Sequence, residues 1–247
     1  MADKMKNTLD WAIKQIFPGD CFNRMVVEAD FLNEKCAPAV LSRLLGFAIT
    51  AGSGFLLLPQ ILKIYNARSG QGISLYAQLL ALLGAGAICA YSYEKQFVFS
   101  QWGDSLLVFI QTTIIVMQLI YYSDHASYTF AFMAFIWMIS MAVTYHYVPF
   151  EVIQALQTAV IPITIAAKGI QIVTNYRNKS TGQLAFLSVF LAFAGCVARI
   201  FTSIQETGDH LIIFAYVAAA ILNGVIFLQM FVYWNAQKPK TLKKKNQ

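Results

Sequence analysis

Charge is what this chain has least of. Asp, Glu, Lys and Arg make up 12% of its 247 residues, against 58% apolar side chains and a mean hydropathy of +0.57. An ordinary soluble domain carries about 25% charged residues. A soluble globule has too little interior to hide so much apolar surface, which excludes disordered, fibrous and ordinary soluble chains and leaves a multi-span membrane protein. Histidine is scarce too: His125, His146 and His210 share no metal-ligand spacing, so no metal centre is expected. There is no phosphate-cradling glycine loop, no Ser-His-Asp pattern, and no close pair of acids beside a nucleophile. The acids Glu94, Asp104, Asp124, Glu151, Glu206 and Asp209 instead stand at the ends of apolar runs. A protein that is not an enzyme and uses no cofactor is expected. The net charge of +6 resembles a nucleic-acid footprint only until its bases are located, since six precede Leu44 and five follow Gln237. No nucleic-acid partner is expected.

Apolar runs are what the chain has in abundance. Seven stretches approach the roughly 20 residues needed to cross a hydrocarbon core, at 41–65, 73–93, 102–122, 127–147, 151–175, 184–205 and 211–234. Helices are the open-ended way to satisfy backbone groups in lipid. Tyr91, Tyr93, Trp102, Tyr121, Tyr122, Tyr145, Tyr147, Tyr233 and Trp234 gather at their ends as interfacial aromatics do. Bases follow the first, fifth and last spans (Lys63 and Arg68; Arg177 and Lys179; Lys238 through Lys245), which places those segments in the cytosol. The odd number of spans then puts the N-terminus in the lumen. Lys244 and Lys245 resemble a dilysine retrieval signal of the endoplasmic reticulum or are a solvated charge run.

Residues 1–40 lack the apolar core of a cleavable signal peptide and are expected to remain as a lumenal segment. Within it, Leu9, Ile13, Ile16 and Phe17 recur at helical spacing and predict an interfacial helix that stops at Pro18 and Gly19. Cys21 and Cys36 either bridge in an oxidising lumen or remain free thiols. Cys89 and Cys196 lie in spans and read as packing residues.

An offset of 111 positions lays Pro59-Gln60-Ile61 on Ile170-Gln171-Ile172, Tyr65 on Tyr176, Arg68-Ser69 on Lys179-Ser180, and Leu80, Gly84 and Ser92 on Leu191, Gly195 and Ser203. Gly103-Asp104 then meets Gly208-Asp209 if the second copy has a loop six residues shorter, and Gln118 meets Asn223. The expected fold is all-α, with seven transmembrane helices as two parallel three-helix repeats. The first repeat is 41–122, the linker helix 127–147, the second repeat 151–235 and the cytosolic basic tail 236–247. Carriers built this way bind at the interface between repeats.

The run Leu58-Pro59-Gln60-Ile61 with Ser69-Gly70-Gln71-Gly72-Ile73-Ser74, echoed by Gln171 and Ser180-Thr181-Gly182-Gln183, resembles the PQ-loop family, which includes the SWEET sugar carriers. Asn175-Tyr176, the run from Ala198-Arg199-Ile200-Phe201 to Gly208-Asp209, and Tyr233-Trp234-Asn235-Ala236 are similar to a branch of that family required for the use of dolichol-phosphate mannose and dolichol-phosphate glucose. That resemblance implies an endoplasmic reticulum membrane protein, those two lipids as partners, membrane lipids around it and glycosyltransferases as further partners. Ile170 departs from the paired motif by standing where a second proline is expected.

Lys168 and Arg199 are the expensive residues, because a cation at the bilayer centre costs roughly 3 kcal/mol or more. Each either holds a lipid phosphate or snorkels, and Arg199 has Glu206 and Asp209 as alternative partners. Pro59 frees a carbonyl in mid-helix, as a hinge or as a packed kink, while Gln60 and Gln171 offer amides to such groups or to a sugar hydroxyl. Gln118, Asn175 and Asn223 join the candidate substrate-binding residues. Gln111, Gln118, Gln154, Gln157 and Asn223 also read as interhelical hydrogen-bonding residues. Three functions compete: a carrier that moves dolichol-linked monosaccharides between leaflets, an adaptor that presents the lipid to transferases, and a free-sugar carrier.

Overall fold

The apolar runs become helices in the computed structural model, which describes residues 13–123, 126–181 and 186–233. Leu9, Asp124, His125, Gly182, Gln183, Leu184, Trp234, Asn235, Ala236 and the tail lysines, Lys244 and Lys245 included, lie outside the described residues. We number the helices α1 (Cys36–Ser53), α2 (Leu58–Ala67), α3 (Leu75–Glu94), α4 (Gly103–Tyr121), α5 (Ala126–Thr144), α6 (Phe150–Asn178), α7 (Phe186–Glu206) and α8 (His210–Val232). No strand occurs among the described residues. Among the described residues seven stretches are long and apolar enough to cross a membrane, α1 and α2 together forming the first. The arrangement is the expected three helices, a linker helix and three more.

The first span is not the continuous helix that its hydropathy predicts. α1 stops at Ser53 and α2 starts at Leu58, with Pro59 in the first turn of the new helix rather than at a kink within one. Gly52, Ser53 and Gly54 weaken the chain before it, and Pro59 has no N–H to return to the preceding turn. A proline suits a helix start, where that donor is unpaired anyway. In the second repeat Ile170 keeps its donor and α6 runs through the corresponding place without a break. α6 does contain a proline, Pro162, two turns earlier.

The sequence repeat also needs correction, because no residues are missing from the second copy. At a constant offset of 111, α2 ends at Ala67 and α6 at Asn178, and α4 ends at Tyr121 and α8 at Val232. Arg68 and Lys179 both leave their helices with left-handed φ, at 46° and 47°. Each donates its N–H to a tyrosine carbonyl, Tyr65 or Tyr176, at 3.3 Å. The apolar cores match as well: Ile115 and Leu119 pack with Ile61 in the first repeat, and Ile226 and Met230 pack with Ile172 in the second. The apparent deletion arises because residues that form a loop and a short turn (Phe99–Gln101) before α4 correspond to helical residues at the start of α8.

The chain divides into two compact units. One holds the residues up to Val160 together with Phe201–Asp209, and the other holds Ile161–Ile200 and the residues from His210 onward. In the first, Gly46 lets α1 come against the Phe99–Gln101 turn: a Cβ there would lie 2.5 Å from the Ser100 carbonyl oxygen and 2.9 Å from its Cβ. The obstacle is backbone and cannot swing aside. Gly46→Ala is therefore expected to cost about 1–3 kcal/mol, the usual penalty of overpacking, read as a lower melting temperature in detergent. In the second unit Phe186, Phe190, Phe193 and Phe231 surround Phe227, with ring centroids 5.0–5.9 Å from it.

The N-terminal segment is tied to α1, and its described turn stops before Pro18, as the sequence predicts. Residues 13–16 are helical, and Ile13, Ile16 and Phe17 are half-buried, with Phe17 packed edge-on against Phe22 at 5.5 Å. Arg43 on α1 donates through Nη1 to the carbonyls of Lys14 and Gln15 at 2.6 and 3.0 Å, occupying the end of that turn. Cys21 and Cys36 form a disulfide that returns the segment to the first residue of α1. Serine at either cysteine is expected to lower stability by about 3 kcal/mol, the loop-closure value for this separation. Equal melting temperatures for the variant and the native chain, without reductant, would contradict this.

Candidate functional site

In a helix bundle surrounded by lipid, polar side chains face inward and pair, so the site is read from which amides and charges are buried and what they touch. In the first repeat Gln111 of α4 completes the broken span. Its Oε1 accepts the Leu57 N–H at 2.8 Å, and its Nε2 donates to the Ser53 carbonyl at 2.8 Å. One amide thus replaces both the donor and the acceptor that the interrupted helix lacks. Two turns on, Gln118 donates its Nε2 to the Ile61 carbonyl at 3.2 Å, so α4 holds both sides of the break.

The second repeat has the same contact with an added residue. Gln229 Nε2 donates to the Ile172 carbonyl at 2.9 Å, and Asn175 Nδ2 donates to Gln229 Oε1 at 3.0 Å. Gln229, not Asn223, is thus the counterpart of Gln118, each lying 57 residues after the isoleucine it binds. Asn175 corresponds to Ile64 in the first copy. There Gln118 Oε1 is buried with no hydrogen-bond partner among the described residues. Asn223 does different work: its Nδ2 reaches Cys196 Sγ at 3.4 Å and joins α8 to α7. Gln60 and Gln171 are half-buried on α2 and α6, one residue beyond Pro59 and Ile170.

The two costly cations belong to the second copy. At the same offset Lys168 replaces Leu57 and Arg199 replaces Ile88. Arg199 is 2% exposed and shares the buried stripe of α7 with Val189, Thr202 and Ser203. A snorkelling arginine keeps its head in water, so this degree of burial separates Arg199 from one. Lys168 is half-buried in α6, ten residues before its last residue, or about 15 Å along the axis.

Glu206 and Asp209, the acids that sequence offered to Arg199, also have partners within the first unit. Arg43 Nε lies 3.3 Å from both carboxylate oxygens of Glu206. Tyr91 donates its hydroxyl to Asp209 Oδ2 at 2.9 Å, and Lys95 Nζ approaches the same oxygen at 3.5 Å. Lys95 also lies over the rings of Tyr91 and Phe150, which stack at 5.8 Å. His146 and Glu94 pair at 2.9 Å. At this end of the first unit, then, charges bind helix ends together. Arg43 and Gln229 went unnoticed in the sequence. An unbroken offset of 111 leads directly from Gln118 to Gln229, whereas Arg43 carries no sequence signal beyond its charge.

The family model described as PQ loop repeat matches residues 41–101 and 152–212, two copies at the offset that the helix ends, caps and cores share. The chain carries two PQ-loop repeats. Each matched PQ-loop segment covers the first two spans of its repeat and runs up to the third. The glutamine of the Pro-Gln pair is kept in both PQ-loop repeats, as Gln60 and Gln171, while the proline and the helix break are confined to the first.

Proposed function

We propose that this membrane protein binds dolichol-phosphate mannose and dolichol-phosphate glucose in the endoplasmic reticulum and moves them between leaflets. Lumenal glycosyltransferases then use them in N-glycan, GPI-anchor and O- and C-mannosyl synthesis. Arg199 carries the reading: an arginine buried within the second PQ-loop repeat, inside the run 198–209 that resembles the mannose-P-dolichol utilization defect protein. A guanidinium presents paired donors that fit a phosphate in two-point fashion. The polar side chains of the spans offer hydrogen bonds to the sugar, and the polyprenyl tail stays in lipid. The chain acts by binding and transfer rather than by catalysis.

The test is flux of a fluorescent or water-soluble dolichol-phosphate mannose analogue into proteoliposomes. Protein-dependent flux is expected. Lipid binding without flux, together with a raised transferase activity in detergent, would replace transport by presentation. Flux of free sugar alone would replace the lipid by a soluble substrate. The orientation in this proposal, N-terminus lumenal and tail cytosolic, has its own check. Asn178-Lys179-Ser180 is a glycosylation sequon that begins at the last residue of the fifth span. It is expected to stay unmodified because it faces the cytosol, and a glycosidase-sensitive mobility shift dependent on Asn178 would invert the topology.

A further inference from the structure

Between the two cysteines of the disulfide the chain turns its apolar side chains outward: Val27 is 69% exposed, Phe31 63% and Leu32 89%. Their exposure is built. The π-helical turn Asn23–Val27 closes through the Glu28 N–H on the Asn23 carbonyl at 2.9 Å, Ala29 takes a left-handed φ of 56°, and the Asp30 N–H returns to the Arg24 carbonyl at 3.1 Å. Asn33 then fixes the far side: its Nδ2 donates to Asp30 Oδ2 at 3.0 Å, and its Oδ1 accepts the N–H groups of Lys35 and Cys36 at 3.2 Å. Phe31 and Leu32 are thereby held as the two central residues of a turn from Asp30 to Asn33. Gly, Pro, Asn, Asp and Ser ordinarily occupy such positions.

Arg24, Glu28, Asp30, Glu34 and Lys35 surround this tip, and an apolar surface with a polar rim marks a place of contact. Its position identifies the contact as lipid. Leu32 stands four residues before Cys36, the first residue of α1, and the disulfide returns the other end of the loop to that same residue. The outward apolar side chains of α1 begin at Leu41 and Leu44, 51% and 49% exposed. Leu41 is five residues, about 7.5 Å, into the helix. The tip is thus tethered within four residues of the start of the first span, whose outward side chains meet lipid. We infer that Val27, Phe31 and Leu32 form a wedge that inserts among the lipid headgroups beside the first span. The apolar residues of the preceding turn, Ile13, Ile16 and Phe17, are half-buried and do not compete for this role. Lipid insertion by this tip is independent of any role in dolichol-phosphate transfer.

Spin-label depth measurement on the full chain in lipid nanodiscs tests this. With Cys89→Ala and Cys196→Ala in place and the Cys21–Cys36 bond intact, Leu32→Cys carries the label and Glu28→Cys serves as the aqueous reference. The ratio of oxygen to nickel-chelate accessibility at residue 32 is expected to exceed that at residue 28 several-fold, corresponding to a depth of about 5–10 Å. Equal ratios would overturn the inference by placing the tip in water. A label at 32 shielded from both reagents would overturn it too, since protein and not lipid would then cover the tip. Phe31→Cys gives a second reading with the same two outcomes if the first variant fails to fold.

Discussion

Arg199→Gln is expected to weaken binding of a polyprenyl-phosphate sugar by about ten- to a hundredfold while leaving the helical protein intact. Hydrogen bonds to a charged partner contribute about 1.5–3 kcal/mol. Each 1.4 kcal/mol is roughly tenfold in affinity. Arg199→Lys keeps the charge but loses the planar pair of donors, so a smaller loss of about tenfold is expected. Lys168, a point charge in α6 of the same unit, should tolerate Arg better than Gln. Affinity is to be measured on variants matched for abundance, with the melting temperature recorded alongside. Normal affinity in a well-folded Arg199→Gln chain would remove the phosphate role. A fall confined to abundance would make the arginine a packing element, stabilising helix contacts inside the second unit.

The other large effect is expected at Gln111. Gln111→Leu fills similar space but strands the Leu57 N–H and withdraws a donor from the Ser53 carbonyl in the lipid-embedded part of the first span. An unsatisfied buried donor costs about 1–3 kcal/mol and the lost bond about 1 more. A drop in stability of about 2–4 kcal/mol should be visible in thermal unfolding. The second repeat supplies a compensating change. Ile170 stands where Pro59 does and its helix is unbroken, so Pro59→Ile returns a backbone donor to the first span. The double variant Gln111→Leu with Pro59→Ile is expected to be less destabilised than the sum of the two single variants, since both act on one break. Strict additivity would mean that Gln111 and the break are energetically separate.

Hydropathy made the seven spans and the 3+1+3 order readable, because lipid demands that backbone polar groups be satisfied within each crossing segment. It could not reveal that the first crossing is in two pieces. Residues 54–57 are as apolar as their neighbours, and the break is stabilised by a side chain from another helix, 54 positions away at Gln111. The Gly-Asp pairs at 103–104 and 208–209 misled for a related reason. Gly103 opens α4, whereas Gly208 sits in the turn before α8 with a φ of 59°, so like residues occupy unlike places. Within the candidate site, Lys168 and Arg199 were legible from the cost of charge in a span. Gln229 was not, because an amide in a membrane helix is ordinary until its partner is known. Arg43 was hidden in the charged segment before the spans, where a base is unremarkable, although its bonds to Glu206 and to two N-terminal carbonyls hold that end of the first unit together.

The glutamine contact of the third span also marks what the two copies hold in common. An amide reaches an isoleucine carbonyl across the same 57 residues in both copies. Ile64, Leu57 and Ile88 in one copy correspond to Asn175, Lys168 and Arg199 in the other. The two copies thus keep one contact while differing in chemistry: the first has the broken helix and the second the buried arginine.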